Sequence, residues 1–208
     1  CQTTPKVPHI ALLDSGVGGA SLLVHLRDKI PQAQYIYGFD NGGFPYGERS
    51  EEEIIERQLS VAQKLSDAHP LDLIVVACNT ASTLVLPHFR QKFTSLVVGV
   101  VPAIKVAAKQ SLSGSIGLLA TPATVHRPYT NQLIRDFANS CQVTKVGSVA
   151  LVEEAEKKYR REMVDLEVIA KELTPLFLNS SIDTVVLGCT HFSHLIDEFK
   201  QVAPRQIH

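Results

Sequence analysis

A ten-residue pattern occurs twice in this chain, and it restricts the possible folds more than any other feature. Leu71-Asp72-Leu73-Ile74-Val75-Val76-Ala77-Cys78-Asn79-Thr80 is echoed by Ser181-Ile182-Asp183-Thr184-Val185-Val186-Leu187-Gly188-Cys189-Thr190. Each copy has an aspartate, then an apolar run, then a cysteine six positions after the aspartate. An earlier pair matches as well: Ile10-Ala11-Leu12-Leu13-Asp14-Ser15 and Ile116-Gly117-Leu118-Leu119-Ala120-Thr121. The copies lie about a hundred residues apart, so the chain reads as two related halves.

The apolar runs are short, rich in β-branched residues and continuous rather than alternating. That pattern suits strands covered on both faces, as in parallel sheets. Strands are expected at His9–Leu13, Tyr35–Phe39, Leu73–Ala77, Leu96–Gly99, Ser115–Leu119, Gln142–Val146 and Thr184–Leu187. Helical stretches separate them. Ser50 and Glu53 form a capping box at the head of Glu51–Ser66. Asp165–Leu178 reads as helix despite Pro175. The expectation is an α/β protein of two doubly wound parallel-sheet domains, residues 1–100 and 101–208, related by a pseudo-twofold axis with the active site between them. The first half carries Asp14 and Cys78, the second Cys189 and His191.

Composition excludes several function classes. The net charge of −1 supplies no basic field for nucleic acid. No apolar run approaches the roughly 20 residues of a membrane-spanning helix. The opening Cys1-Gln2-Thr3-Thr4-Pro5 lacks the charged-then-apolar pattern of a secretory signal. The four cysteines, Cys1, Cys78, Cys141 and Cys189, include no CxxC pair, so neither a zinc site nor a disulfide framework is expected. Reduced thiols in a cytoplasm fit best.

In open parallel sheets, ligands bind beyond the carboxyl ends of the strands, where both Cys78 and Cys189 fall. A helix start favours thiolate there. A thiolate on one side of a carbon and a thiol on the other can racemise it: one removes the α-proton and the other returns a proton to the opposite face. A free thiol has a pKa near about 8.5, so each cysteine needs a helper. Asp14 and His191 are the nearest polar candidates, one for each half. Asn41, Tyr46, Gly47, Asn79, Thr80, Thr121, Thr124 and Thr190 fall in strand-to-helix loops, where hydroxyls, amides and backbone N–H groups can hold carboxylates.

Asp14-Ser15-Gly16-Val17-Gly18-Gly19, Pro45-Tyr46-Gly47, Cys78-Asn79-Thr80-Ala81 and Gly188-Cys189-Thr190-His191 resemble, in order and spacing, the motifs of the glutamate racemase family. The resemblance implies a metal-free and pyridoxal-free racemase of glutamate, a cytoplasmic enzyme supplying D-glutamate for peptidoglycan, and a homodimer. It implies that Cys78 and Cys189 exchange the proton, that Asp14 assists Cys78, and that His191 assists Cys189. It adds Glu156 near the site and matches Asp14, Ser15, Tyr46, Gly47, Asn79, Thr80, Thr121, Thr124, Thr190 and His191 to substrate-binding segments. Members of the family continue past the second cysteine motif and return to complete the first domain; that return is absent from this sequence, whose last residue is His208.

Other readings compete. Aspartate or another amino acid is an alternative substrate, and a non-catalytic amino-acid-binding protein is an alternative function. Gly16-Val17-Gly18-Gly19 after a strand hints at a dinucleotide fingerprint, but Ser21 stands where its third glycine belongs. Cys189 and His191 lack a second ligand pair at metal-binding spacing.

Overall fold

The computed structural model describes residues 6–208; Cys1 and the rest of the opening segment lie outside them. The chain divides into two compact units, one running through Val100 and the other Val101–His208.

In the first unit the order is β1 (His9–Asp14), α1 (Ala20–Lys29), β2 (Gln34–Phe39), α2 (Glu51–Ala68), β3 (Leu73–Val76), α3 (Asn79–Lys92) and β4 (Leu96–Gly99). The strands form one sheet in the order β2-β1-β3-β4, parallel throughout. Alternate residues of each buried strand serve opposite faces. Ile10, Leu12 and Val75 pack with Leu22, Leu23 and Leu26 of α1. Leu13, Ile74 and Val76 pack with Ile54 and Ala62 of α2 and with Val85 and Phe89 of α3. Helices thus cover both faces, the doubly wound arrangement. Phe89 is wholly buried, and burying a ring of that size stabilises by about 1.5–3 kcal/mol.

The second unit runs α4 (Ile104–Gln110), β5 (Ser115–Ala120), α5 (Pro122–His126), α6 (Pro128–Phe137), β6 (Gln142–Gly147), α7 (Ala150–Tyr159), α8 (Leu166–Leu178), β7 (Thr184–Gly188) and α9 (Ile196–Val202). Its sheet has the order β6-β5-β7, again parallel. Ile116, Leu118, Ala120 and Val186 face Ile104 and Ala107 of α4, Val125 of α5 and Ile134 of α6. On the opposite face an apolar cleft of about 740 Å³ lies among Leu119, Leu187, Leu173 of α8 and Phe199 of α9. None of the expected site residues lines it.

Local chemistry explains the boundaries. Ser50 accepts from the Glu53 N–H and starts α2; the Glu53 carboxylate itself pairs with Arg49. Asp165 is not helical. Its side chain accepts from the N–H groups of Glu167 and Val168, which makes it the cap of α8, and Pro175 sits within that helix without ending it. β3 stops at Val76, one residue short of the expected Ala77.

The repeated aspartates have a common structural task. The Asp72 N–H donates to the His9 carbonyl, and its carboxylate accepts from the His9 N–H at 2.9 Å. Likewise the Asp183 N–H donates to the Ser115 carbonyl. The Asp183 carboxylate takes Ser111 Oγ at 2.6 Å and the N–H groups of Leu112 and Ser113 at 2.8 Å. Each aspartate therefore ties a cysteine-bearing strand to the start of its neighbour. Hydrogen bonding from Ser111, foremost, holds the Asp183 carboxyl well below the usual carboxylate range. A depressed folded-state pKa gives stability that is present above the unfolded value of about 3.9 and lost as pH falls through the folded value. Asp183→Asn is expected to lower Tm by a few degrees at neutral pH. The deficit should shrink below about pH 4, where the wild-type carboxylate begins to lose its advantage. Thermal melts across pH check this; a constant deficit down to strong acid would contradict it.

Candidate active site

In the first unit the polar groups gather at the carboxyl edge of the sheet. Leu13 lies opposite Val76, so Asp14 and Ser15 leave β1 beside Ala77 and Cys78. Cys78 is the N-cap of α3 and its carbonyl accepts from the Ser82 N–H. The residue is largely covered, at 5% exposure. Ser15 Oγ stands 3.8 Å from Cys78 Sγ. Asp14 Oδ1 accepts from the Ser15 N–H at 2.7 Å and lies 3.4 Å from Ser15 Oγ. Asp14 is thus joined to Cys78 through the Ser15 hydroxyl. It is wholly buried and is not the cap of α1, which is Gly19. A Cβ on Gly19 would come within 2.8 Å of Asp14 Oδ2 and 2.9 Å of the Ala77 Cβ, so glycine there lets the loop close over the carboxylate.

Tyr46 belongs to the same cluster. It begins a short 3-10 turn, Tyr46–Glu48, after a cis Phe44–Pro45 bond. Its hydroxyl donates to Asp40 Oδ2 at 2.8 Å and accepts from Gln58 Nε2 at 2.8 Å. Burial is the main cause that pushes its ionisation far above the ordinary phenol range, with the charges of Asp40 and Cys78 acting the same way. The phenol therefore stays neutral and positions rather than transfers a proton. The Arg57 guanidinium, above all, holds the Asp40 carboxyl below its usual range.

The remaining expected residues of this unit are more scattered. Asn79 and Thr80 are buried in the first turn of α3, and the Asn79 amide donates to the Val100 carbonyl at 3.2 Å. Gly47 is half-buried, and Asn41 is exposed.

In the second unit Cys189 directly follows β7 and caps a 3-10 turn, Thr190–Leu195. The residue is 8% exposed, and its thiol lies 4.0 Å from His191 Nδ1. His191 Nε2 lies 2.7 Å from Glu156 Oε1, and Glu156 comes from α7. Arg160 Nη1 stands 3.8 Å from Glu156 Oε2. Ala120 lies opposite Gly188, which sets Thr121 beside Cys189. Thr121 caps α5 by accepting from the Thr124 N–H, and the two threonine hydroxyls are 3.0 Å apart. Thr190 is half-buried in the turn after Cys189. Cys78, Cys141 and Cys189 form no disulfide among the described residues.

Each unit thus pairs a strand-end cysteine with a neighbour backed by a carboxylate: Ser15 with Asp14, and His191 with Glu156. Arg57 and Gln58 were not singled out as site residues from sequence. Gln58 had one signal, as the polar member of the otherwise apolar stripe Ile54, Gln58, Ala62 on α2.

No helix of the described residues is long and apolar enough to cross a membrane. The family described as Asp/Glu/Hydantoin racemase matches residues 20–207. A glutamate racemase of Histophilus somni is 50% identical over 198 residues, which is 95% of this chain and 74% of the relative. One of Salmonella gallinarum is 52% identical over 204 residues, covering 97% and 72%. The crystal structure of Escherichia coli glutamate racemase, in complex with L-glutamate and the activator UDP-MurNAc-ala, superposes with a TM-score of 0.92 at 48% identity. That match covers 98% of this chain and 77% of the other. The chain belongs to the Asp/Glu/hydantoin racemase family, on its glutamate racemase branch.

Proposed function

We propose that this chain interconverts L- and D-glutamate without a cofactor, with Cys78 and Cys189 as paired acid and base, and so supplies D-glutamate for peptidoglycan. The observation that carries the proposal is the repeated arrangement of a strand-end thiol beside a carboxylate-backed helper, in a chain about half identical to glutamate racemases.

In one direction the Cys78 thiolate takes the proton from Cα and becomes a thiol. The electron pair left on Cα accepts the Cys189 proton on the opposite face, which leaves Cys189 as thiolate. The reverse direction exchanges the roles. Asp14, through Ser15, orients Cys78. Glu156 holds the His191 ring and stabilises its protonated form when His191 shares the Cys189 proton. Backbone N–H groups of the loops after β1, β3 and β7, with the hydroxyls of Thr80, Thr121 and Thr190, hold the substrate carboxylates. The bound L-glutamate of the Escherichia coli structure supports glutamate as substrate.

The test is circular dichroism of L-glutamate incubated with the purified protein and chelator, with no pyridoxal phosphate added. Decay of the signal to zero, and the same endpoint from D-glutamate, is expected. A stable signal for glutamate beside decay for aspartate would replace the substrate. Stable signals for both would sink the racemase reading.

A further inference from the structure

The loop after β2 carries Tyr46 and Gly47, and it is gripped by Arg57 and Gln58 of α2 and by Arg49 just before that helix. Arg57 donates Nε to Asp40 Oδ2 at 2.5 Å and Nη2 to Asp40 Oδ1 at 2.8 Å. The Gly43 N–H adds a bond to Oδ1 at 3.2 Å. Arg49 Nε donates to the Gly43 carbonyl at 3.0 Å. Gln58 Nε2 reaches both the Tyr46 hydroxyl at 2.8 Å and the Asp14 carbonyl at 3.3 Å. Gly43 lies so close that a Cβ there would fall 2.3 Å from Arg57 Nε and 2.4 Å from Asp40 Oδ2.

The hydrogen-bond directions follow from charge. Ionised Asp40 accepts only, so Tyr46 gives it its one proton. Gln58 must then offer Tyr46 its NH₂ group. The Gln58 carbonyl oxygen is left buried without a hydrogen-bond partner, on a residue with no exposure. Leaving a buried acceptor unpaired is costly, and this orientation is retained because the Arg57–Asp40 pair dictates it.

We infer that the Arg57–Asp40 fork, acting through Tyr46 and Gln58, is the positioning device that sets the substrate-facing loop of residues 40–47 against the Cys78 side of the site. The inference rests on the glutamate reading for its substrate. Arg57 and Asp40 act through Tyr46 and are positioning residues. Cys78 is held separately by β3 and α3, so loosening the fork affects substrate binding more than proton transfer. A lysine at position 57 keeps the charge but loses the two-pronged geometry.

The experiment measures KM, kcat and Tm for wild type, Arg57→Gln and Arg57→Lys, together with calorimetric glutamate binding. Arg57→Gln is expected to raise KM and Kd about tenfold or more with kcat changed much less, the signature of lost binding common to ground and transition states. Arg57→Lys should fall between. Unchanged KM with a lowered Tm would reduce the fork to a structural brace and overturn the inference. A drop in kcat at unchanged KM would also overturn it. If wild type fails to invert glutamate but binds it, and Arg57→Gln weakens that binding, the racemase reading fails and the positioning role stands. If wild type neither inverts nor binds glutamate, both fall.

Discussion

Cys78→Ala is expected to abolish inversion of both enantiomers, by at least about 10²–10⁴-fold, the usual contribution of a positioned proton-transfer group. The substitution removes one sulfur and leaves the rest of the turn in place. The carbonyl of residue 78 still accepts from the Ser82 N–H, and β3 keeps its register. The fold should therefore survive, with a cost confined to a small cavity. The two directions must fail together for a thermodynamic reason. L- and D-glutamate have equal free energies in water, so kcat/KM is the same for both and cannot be lost in one direction alone. Chiral chromatography from each enantiomer measures this. Ordinary turnover by the variant, with its melt unchanged, would remove Cys78 from the mechanism.

The second large effect is expected at Glu156→Gln. Glutamine preserves length and can still accept from His191 Nε2, so the ring keeps its place. What disappears is the negative charge 2.7 Å from the imidazole, and with it the support for protonated His191. A carboxylate that orients a metal-bound histidine is worth about 10–100-fold, and a loss of the same order in kcat/KM is expected for this one. The equality of the two directions still applies, so the asymmetry appears in isotope effects. When Cys189 removes the α-proton, that step becomes more rate-limiting, and the effect of α-deuterated substrate should grow. With the other enantiomer, where Cys78 is the base, it should shrink. Equal changes for both would mean that Glu156 serves the two thiols alike, contrary to its place in the second unit.

Much of this arrangement was legible in the sequence, because parallel strands write themselves as uninterrupted apolar runs. Leu73–Val76 and Ser115–Ala120 were clear for that reason, and the repeat marked both cysteines. The paired aspartates Asp72 and Asp183 were visible as landmarks, but their bonds to the starts of neighbouring strands were not. Such bonds depend on register, which the sequence does not state. The His191–Glu156 contact joins residues 35 apart on different elements, and only family resemblance pointed to Glu156. Arg57 looked like an ordinary charged residue on α2. Its partner Asp40 lies across a loop whose path no local pattern reveals. Asn41, expected among the substrate-binding residues, is exposed, whereas Gln58, not singled out, is buried within the cluster.

The parallel pairing of both sheets also governs how the protein reaches its native state. Among the described residues no hairpin joins two paired strands. Ile10 must find Leu73, and Ile116 must find Thr184, across whole intervening helices. The ordering entropy is thus spent before the contacts that offset it are made, so folding should be slow compared with a helical bundle of this size. The strands that close these longest loops are the ones that deliver Cys78 and Cys189. A newly made or partly melted chain therefore carries Cys78 away from Ser15, and His191 away from Glu156, and competence for proton transfer arrives only when β3 and β7 have paired with their neighbours.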